Sequence, residues 1–315
     1  MDSLIYSLNA TMPIFFVIVV GYVLKRIGML NDNFVEVANK FNFKVTLPLL
    51  LCTDIGATNI IKNFDGKYIL FCAIVTSICF WSIWFFTKKF MKDSYMKGAF
   101  VQASFRGSAA ILGIAFVQNI YGTAGMAPMM IIGAVPLYNI YSVIVLTFEG
   151  KNSTEGNANI KNAFINIIKN PIIIGILLGM LISLLSINFP PMIDKTLKSF
   201  SVMASPLALV TIGAGFQGRK ALAKIKPTLV ASCLKLELQA AIFLPIAVYL
   251  GFRDQKLVAL IIMLGSPTTV SCYIMAKNMN NDGILTSSII VMTTLLSAFT
   301  LTFFIFILRS FELII

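Results

Sequence analysis

The chain has 315 residues, 58% of them hydrophobic and 12% charged, with a formal net charge of +12 and a mean hydropathy of +0.88. This apolar excess excludes an ordinary soluble domain, and the basic residues fall between apolar runs, which points to membrane topology rather than to nucleic acid. There is no histidine, which removes imidazole metal ligands, histidine proton relays and a histidine-based catalytic triad.

Apolar runs of about 20 residues recur along the chain, the length of a membrane-spanning helix rather than of a barrel strand. Ten spans are predicted, over 8–24, 35–57, 67–87, 96–118, 124–148, 170–188, 192–216, 227–250, 256–278 and 285–308. The first carries no basic region before it, so no cleavable signal peptide is expected. Connections are short, and the longest, Glu149 to Lys169, is polar and reads as a linker between halves. One side of the membrane collects twice as many lysines and arginines as the other, among them Lys25, Arg26, Lys88, Lys89 and Lys92. That side is cytoplasmic by the positive-inside rule, so both termini are expected outside. The five cysteines sit in apolar spans with no C-x-x-C pair and read as small buried hydrophobes. Phe80, Trp81, Trp84, Phe85 and Phe86 cluster towards a span end and read as an interfacial belt.

A search for repeats finds that a shift of 158 (171 less 13) superimposes Pro13 on Pro171, Gly21 on Gly179, Pro48 on Pro206, Gly107 on Gly265 and Ser108 on Ser266. The halves are therefore expected to be duplicates: 1–148 and 170–315, each with five spans, joined by a linker over 149–169. An odd number of spans makes the second copy enter from the opposite face, giving an inverted repeat of the kind found in secondary transporters.

In such architectures the binding site is marked by interrupted spans at corresponding positions. The fourth span contains SFRGSAAILG, with an arginine where the bilayer makes a charge costly, by about 2.5 kcal/mol or more. Gly107 and Ser108 weaken the helix at the same point. The ninth span contains LGSPTTVSCY, in which Pro267 removes an amide donor and frees carbonyls of the preceding turn. Arg106 could clamp a carboxylate bidentately, and Gly107, Ser108, Ser266, Pro267, Thr268 and Thr269 complete a cradle of hydroxyls and half-helix amides. Lys235, Glu237 and Asp54 are candidates for electrostatic support or for carrying a coupling ion, H+ or Na+. Gly175 and Gly179, four apart, offer a face for close helix contact. No Walker loop, dinucleotide fingerprint or metalloprotease pattern is present, and no metal site, cofactor or enzymatic constellation is expected.

These residues also carry a resemblance. The run MPIFFVIVVGYVLKRIGML followed by NKFNFKVTLPLLL, and later NPIIIGILLGMLISLL with PPMIDKTLKSF and SPLALVTIGAGF, resemble the auxin efflux carrier family, which includes bacterial malate and malonate permease-like proteins and plant auxin exporters. The resemblance covers essentially the whole chain. It implies an all-α integral membrane protein of ten transmembrane helices in two inverted five-helix repeats, NhaA-like, with helices four and nine broken and crossing. It also implies a scaffold from helices one, two, six and seven that forms a homodimer, and a transport domain from helices three to five and eight to ten. Substrates would be small organic anions, moved by an elevator-type motion across a bacterial-type plasma membrane. Arg106 matches the family's crossover arginine, whereas Ser108 stands where asparagine is usual, Ala115 where proline is usual, and Cys272 at a second proline position of the plant exporters. The competing function is a membrane metabolite receptor that uses the same pocket without turnover.

Overall fold

A computed structural model describes residues 2–57, 65–122, 125–150, 165, 168–187 and 189–314. Most of the expected linker therefore lies outside the described residues. Those described form helices, with one isolated β-bridge and no extended strand. In chain order they are α1 (Asp2–Arg26), α2 (Asp32–Phe41, a π turn Asn42–Thr46, then Leu47–Gly56), α3 (Gly66–Phe90), α4 (Ser94–Phe105), α5 (Ala109–Tyr121) and α6 (Ala127–Phe148). The second half contains α7 (Pro171–Leu184), α8 (Pro191–Val202 and Ala204–Ala214), the short α9 (Gly218–Ala223) and α10 (Ile225–Cys233, a π turn Leu234–Leu238, then Gln239–Tyr249). It ends with α11 (Asp254–Gly265), α12 (Ser271–Asn278) and α13 (Gly283–Ser310).

Among the described residues, five helices are long and apolar enough to cross a membrane: Gly66–Phe90, Ala127–Phe148, Pro191–Ala214, Ile225–Tyr249 and Gly283–Ser310. Their outer faces are what lipid requires. Leu70, Ile74, Ile78, Trp81 and Phe85 form an exposed stripe on α3, and Phe299, Phe303 and Phe306 another on α13. In water such stripes would be a large unpartnered apolar surface. The aromatic belt is only partly of this kind. Trp81, Phe85 and Phe86 are exposed, but Phe80 and Trp84 are buried, Phe80 stacked on Tyr141 at 4.4 Å between ring centroids. Residues at this end of α3 thus alternate between lipid and core because consecutive helical positions point about 100° apart. Cys52, Cys72, Cys79 and Cys272 are buried as expected, whereas Cys233 is exposed on the outer face of α10.

Local chemistry explains where the rods bend. Pro48 has no N–H for the carbonyl four residues back, and the π turn Asn42–Thr46 just before it absorbs the misfit. Pro206 has the same effect on α8, whose two segments separate at Met203. The two bends meet: the buried Asn42 amide donates to the Ala204 carbonyl at 2.8 Å. The most extensive helix pairings are α2 with α7 and α1 with α8. Both depend on glycine. A Cβ on Gly175 would lie 2.5 Å from the Pro48 carbonyl oxygen, and one on Gly213 would lie 2.8 Å from the Tyr22 nitrogen, besides striking the Ile18 carbonyl.

Outside the spans, Asp65 caps α3 through Tyr68 N–H at 3.0 Å and holds the Lys256 ammonium at 2.5 Å. The hydrogen bond from Lys256, then the one from Tyr68 N–H, keep the Asp65 carboxyl below the usual carboxylate range. A depressed folded-state pKa stabilises at neutral pH, and that stabilisation is lost as pH falls through the folded value. Asp65→Asn is therefore expected to lower stability at pH 7 by about 1 kcal/mol or less, because the pair is solvent-screened. The gap to wild type should close on acidification, as read from thermal unfolding across pH.

Candidate functional site

The two helix interruptions meet in the interior. Helix α4 ends at Phe105 and α5 begins at Ala109; α11 ends at Gly265 and α12 begins at Ser271. The intervening segments pair as an antiparallel bridge between Gly107 and Thr268, with Ser108 N–H donating to the Pro267 carbonyl at 2.9 Å. The shift of 158 equates Gly107 with Gly265, yet Gly265 is the last residue of its half-helix, whereas Gly107 lies beyond the end of α4. The two helix ends at the crossing, Phe105 and Gly265, are 160 apart (265 less 105) rather than the 158 of the sequence shift.

Interrupting a helix orphans carbonyls, and four of those at this crossing have side-chain donors. In α4, the Ala103 carbonyl accepts from Thr268 Oγ1 at 2.7 Å and the Ser104 carbonyl from Gln239 Nε2 at 2.7 Å. In α11, Met263 O would be bonded by residue 267, which is proline; Leu264 O would be bonded by Thr268 N–H, which is directed to Thr293 Oγ1 at 3.1 Å. Lys235 takes both, its Nζ donating to Met263 O at 3.2 Å and to Leu264 O at 2.7 Å. Tyr138 adds a second donor to Met263 O at 3.1 Å.

Beside the crossing lies a cavity of about 60 Å³, lined among others by Asp54, Arg106, Gly107, Ser108, Asn139, Thr269 and Ser271. Arg106 is 4% exposed. Its Nη2 donates to Ser271 Oγ at 2.7 Å, and its Nη1 donates to Met275 Sδ at 3.1 Å and to Ser142 Oγ at 3.3 Å. All three acceptors are neutral, and among the described residues no carboxylate lies within ion-pair distance of the guanidinium. The fork has five N–H donors, so part of it is uncommitted. The N-termini of α5 and α12 open here without side-chain caps. Arginine and two positive helix ends thus converge on one small space, a setting for an anion.

The residues singled out in the sequence divide accordingly. Asp54, Arg106, Gly107, Ser108 and Thr269 line the cavity. Thr268 is tied up as a helix cap, and Thr269 shares its hydroxyl with Ser271 at 3.3 Å. Ser266 and Pro267 lie behind the bridge and outside the lining. Ser266 Oγ has no hydrogen-bond partner among the described residues and crowds the Cα of Gly107 together with Lys235. Glu237 is exposed on the far side of α10, in an apolar groove with Leu244, Phe299 and Phe303. Two residues from Lys235, it points the other way. Glu237→Gln is therefore expected to leave ligand affinity at the crossing within about twofold, as measured by calorimetry.

The sequence reading missed Asn139, Ser142 and the lining role of Ser271. Asn139 is fully buried; its amide nitrogen donates to Val135 O at 2.9 Å and its carboxamide oxygen has no partner among the described residues. The signal was present: Asn139 and Ser142 are polar residues three apart in an otherwise apolar span.

A multi-pass helical membrane protein with a buried cation at the meeting of two interrupted helices belongs to the class of membrane transport proteins. Comparison narrows the class. A family model described as a membrane transport protein matches residues 6–305, and the chain belongs to that family, the auxin efflux carriers. It is also similar to an uncharacterized transporter of Methanothermobacter thermautotrophicus, with 21% identity over 299 residues, covering 94% of this chain and 96% of the relative.

Proposed function

We propose that this protein is a secondary active transporter of a small carboxylate, bound at the crossing and carried across the cytoplasmic membrane by elevator-type alternating access. The observation that carries the reading is Arg106. A buried guanidinium with only neutral partners leaves a charge uncompensated, and an anionic ligand is the partner that would compensate it. A carboxylate matches the guanidinium fork bidentately, with the amides of α5 and α12 and the hydroxyls of Ser108, Thr269 and Ser271 beside it.

The cavity is small, about 60 Å³, and is walled by Leu47, Leu50 and Leu51 of α2 and by Ala204 and Ser205 of α8; in this reading substrate enters and leaves as the crossing separates from those two helices. Such a separation is what an elevator movement of one helix group past another provides. Asp54, on the α2 wall, is the acid placed to respond to the bound anion, and H+ or Na+ is the coupling ion of this reading.

The architecture proposed is ten spans in two inverted repeats, counting α4 with α5 and α11 with α12 as single spans. Helix starts support it: Asp32 and Pro191 are 159 apart (191 less 32), and Ser94 and Asp254 are 160 apart (254 less 94). The two most extensive pairings, α1 with α8 and α2 with α7, are also the pair that a two-fold exchange of repeats would interconvert. In this reading those four helices form the scaffold of a homodimer, and both termini face outward.

The test is counterflow in proteoliposomes loaded with unlabelled mono- or dicarboxylate. Accumulation of labelled substrate is expected for a carrier. Binding without counterflow would show a receptor instead.

A further inference from the structure

In transporters built from broken helices, the coupling cation is held by the C-terminal carbonyls of half-helices, where the backbone dipole is negative. This protein has two such ends at its crossing, and they are treated differently. The α4 end is satisfied by neutral donors, the hydroxyl of Thr268 and the amide of Gln239. At the α11 end, Pro267 and the diversion of the Thr268 N–H leave two adjacent carbonyls open, and the chain's own ammonium, Lys235 Nζ, is bonded to both.

Three further observations bear on this lysine. It is fully buried. Among the described residues no carboxylate lies within ion-pair distance of it, so the carbonyls are its main electrostatic partners. The bridge segment also lies directly against it: a Cβ on Gly107 would come within 2.8 Å of Lys235 Cε and 3.1 Å of Nζ, so the backbone there passes close over the ammonium. The π turn Leu234–Leu238 places Lys235 and Gln239 on the inner face together, one serving each half-helix.

We propose that Lys235 is a tethered cation occupying the place of an alkali coupling ion, so that the protein neither binds nor requires sodium at the crossing. The consequence for coupling rests on the transport reading: uptake would be sodium-independent. The occupancy itself does not rest on it, and is tested by stability without any substrate. Purified wild-type protein is compared by thermal unfolding in sodium, potassium and choline chloride at equal ionic strength. Midpoints within about 1 °C of one another are expected, since a ligand that does not bind the folded state does not stabilise it. Lys235→Ala should unfold about 5 °C lower or more in choline, and sodium or ethylammonium should recover part of that loss by returning a cation to the carbonyls.

A saturable, sodium-specific rise in the wild-type midpoint would overturn the proposal. So would a Lys235→Ala midpoint that does not fall, or one that falls without recovery by either cation, which would leave Lys235 a packing residue only. Should Lys235→Ala not fold, the wild-type comparison decides, with Lys235→Gln as the second variant. Failure of counterflow would leave these results standing, so the two readings fail separately.

Discussion

Arg106→Gln is expected to weaken carboxylate binding by a factor between about 30 and several thousand, the range for removing one partner of a desolvated, hydrogen-bonded charge pair at about 2–5 kcal/mol. The same substitution should not lower the thermal midpoint of the ligand-free protein. Without substrate the guanidinium has only Ser142, Ser271 and Met275 as partners, and replacing an uncompensated buried charge with a neutral amide relieves desolvation. The paired measurement is a thermal shift with and without ligand, plus uptake in proteoliposomes. A structural role would produce the opposite pattern, with a lower midpoint and intact binding. Arg106→Lys should recover little, because a point charge does not reproduce the planar fork.

The second large effect concerns folding. Gly213→Ala and Gly175→Ala each place a methyl group against the backbone of a neighbouring helix: the first against Ile18 and Tyr22 of α1, the second against Pro48 of α2. Backbone cannot rotate away as a side chain can, so the helices must separate, and the lost contact extends along both faces. Overpacking of this kind costs about 1–3 kcal/mol in soluble cores. Here the cost should reach the upper end, because helix association in lipid rests on close packing rather than on exclusion from water. Size-exclusion profiles and thermal midpoints of the two variants should both deteriorate, whereas alanine at Gly28, which has nothing nearby but carries φ +80°, should show only the milder strain of a left-handed turn.

The place of the two helix breaks that frame the candidate site was legible in the chain because its causes are local. Arg106 is costly wherever it stands in a bilayer, and Gly107, Ser108 and Pro267 weaken a helix through their own covalent structure. What each side chain does there was less legible. Thr268 was expected to face a ligand and instead caps Ala103, because the segment ends of two helices distant in sequence are brought side by side. Lys235 looked like diffuse electrostatic support until the loss of the Pro267 and Thr268 amides left it two specific carbonyls. Asn139 was overlooked because, unlike Arg106 or Pro267, an amide three residues from Ser142 neither carries a charge nor weakens its helix.

The sequence by itself determined that the chain is a helical membrane protein and that its helices break at Gly107–Ser108 and at Pro267, for which composition, bilayer length and the steric properties of glycine and proline suffice; its place among membrane transport proteins was carried by resemblance along the whole chain. Only the tertiary structure decided which way the polar residues face. A π turn inserts one residue and rotates every later side chain by about 100°, and the turns at Asn42–Thr46 and Leu234–Leu238 leave no mark in hydrophobic periodicity. Lys235 and Gln239, four apart, share one face and Glu237, two from Lys235, the opposite one; packing alone decided that the first face is the inner one.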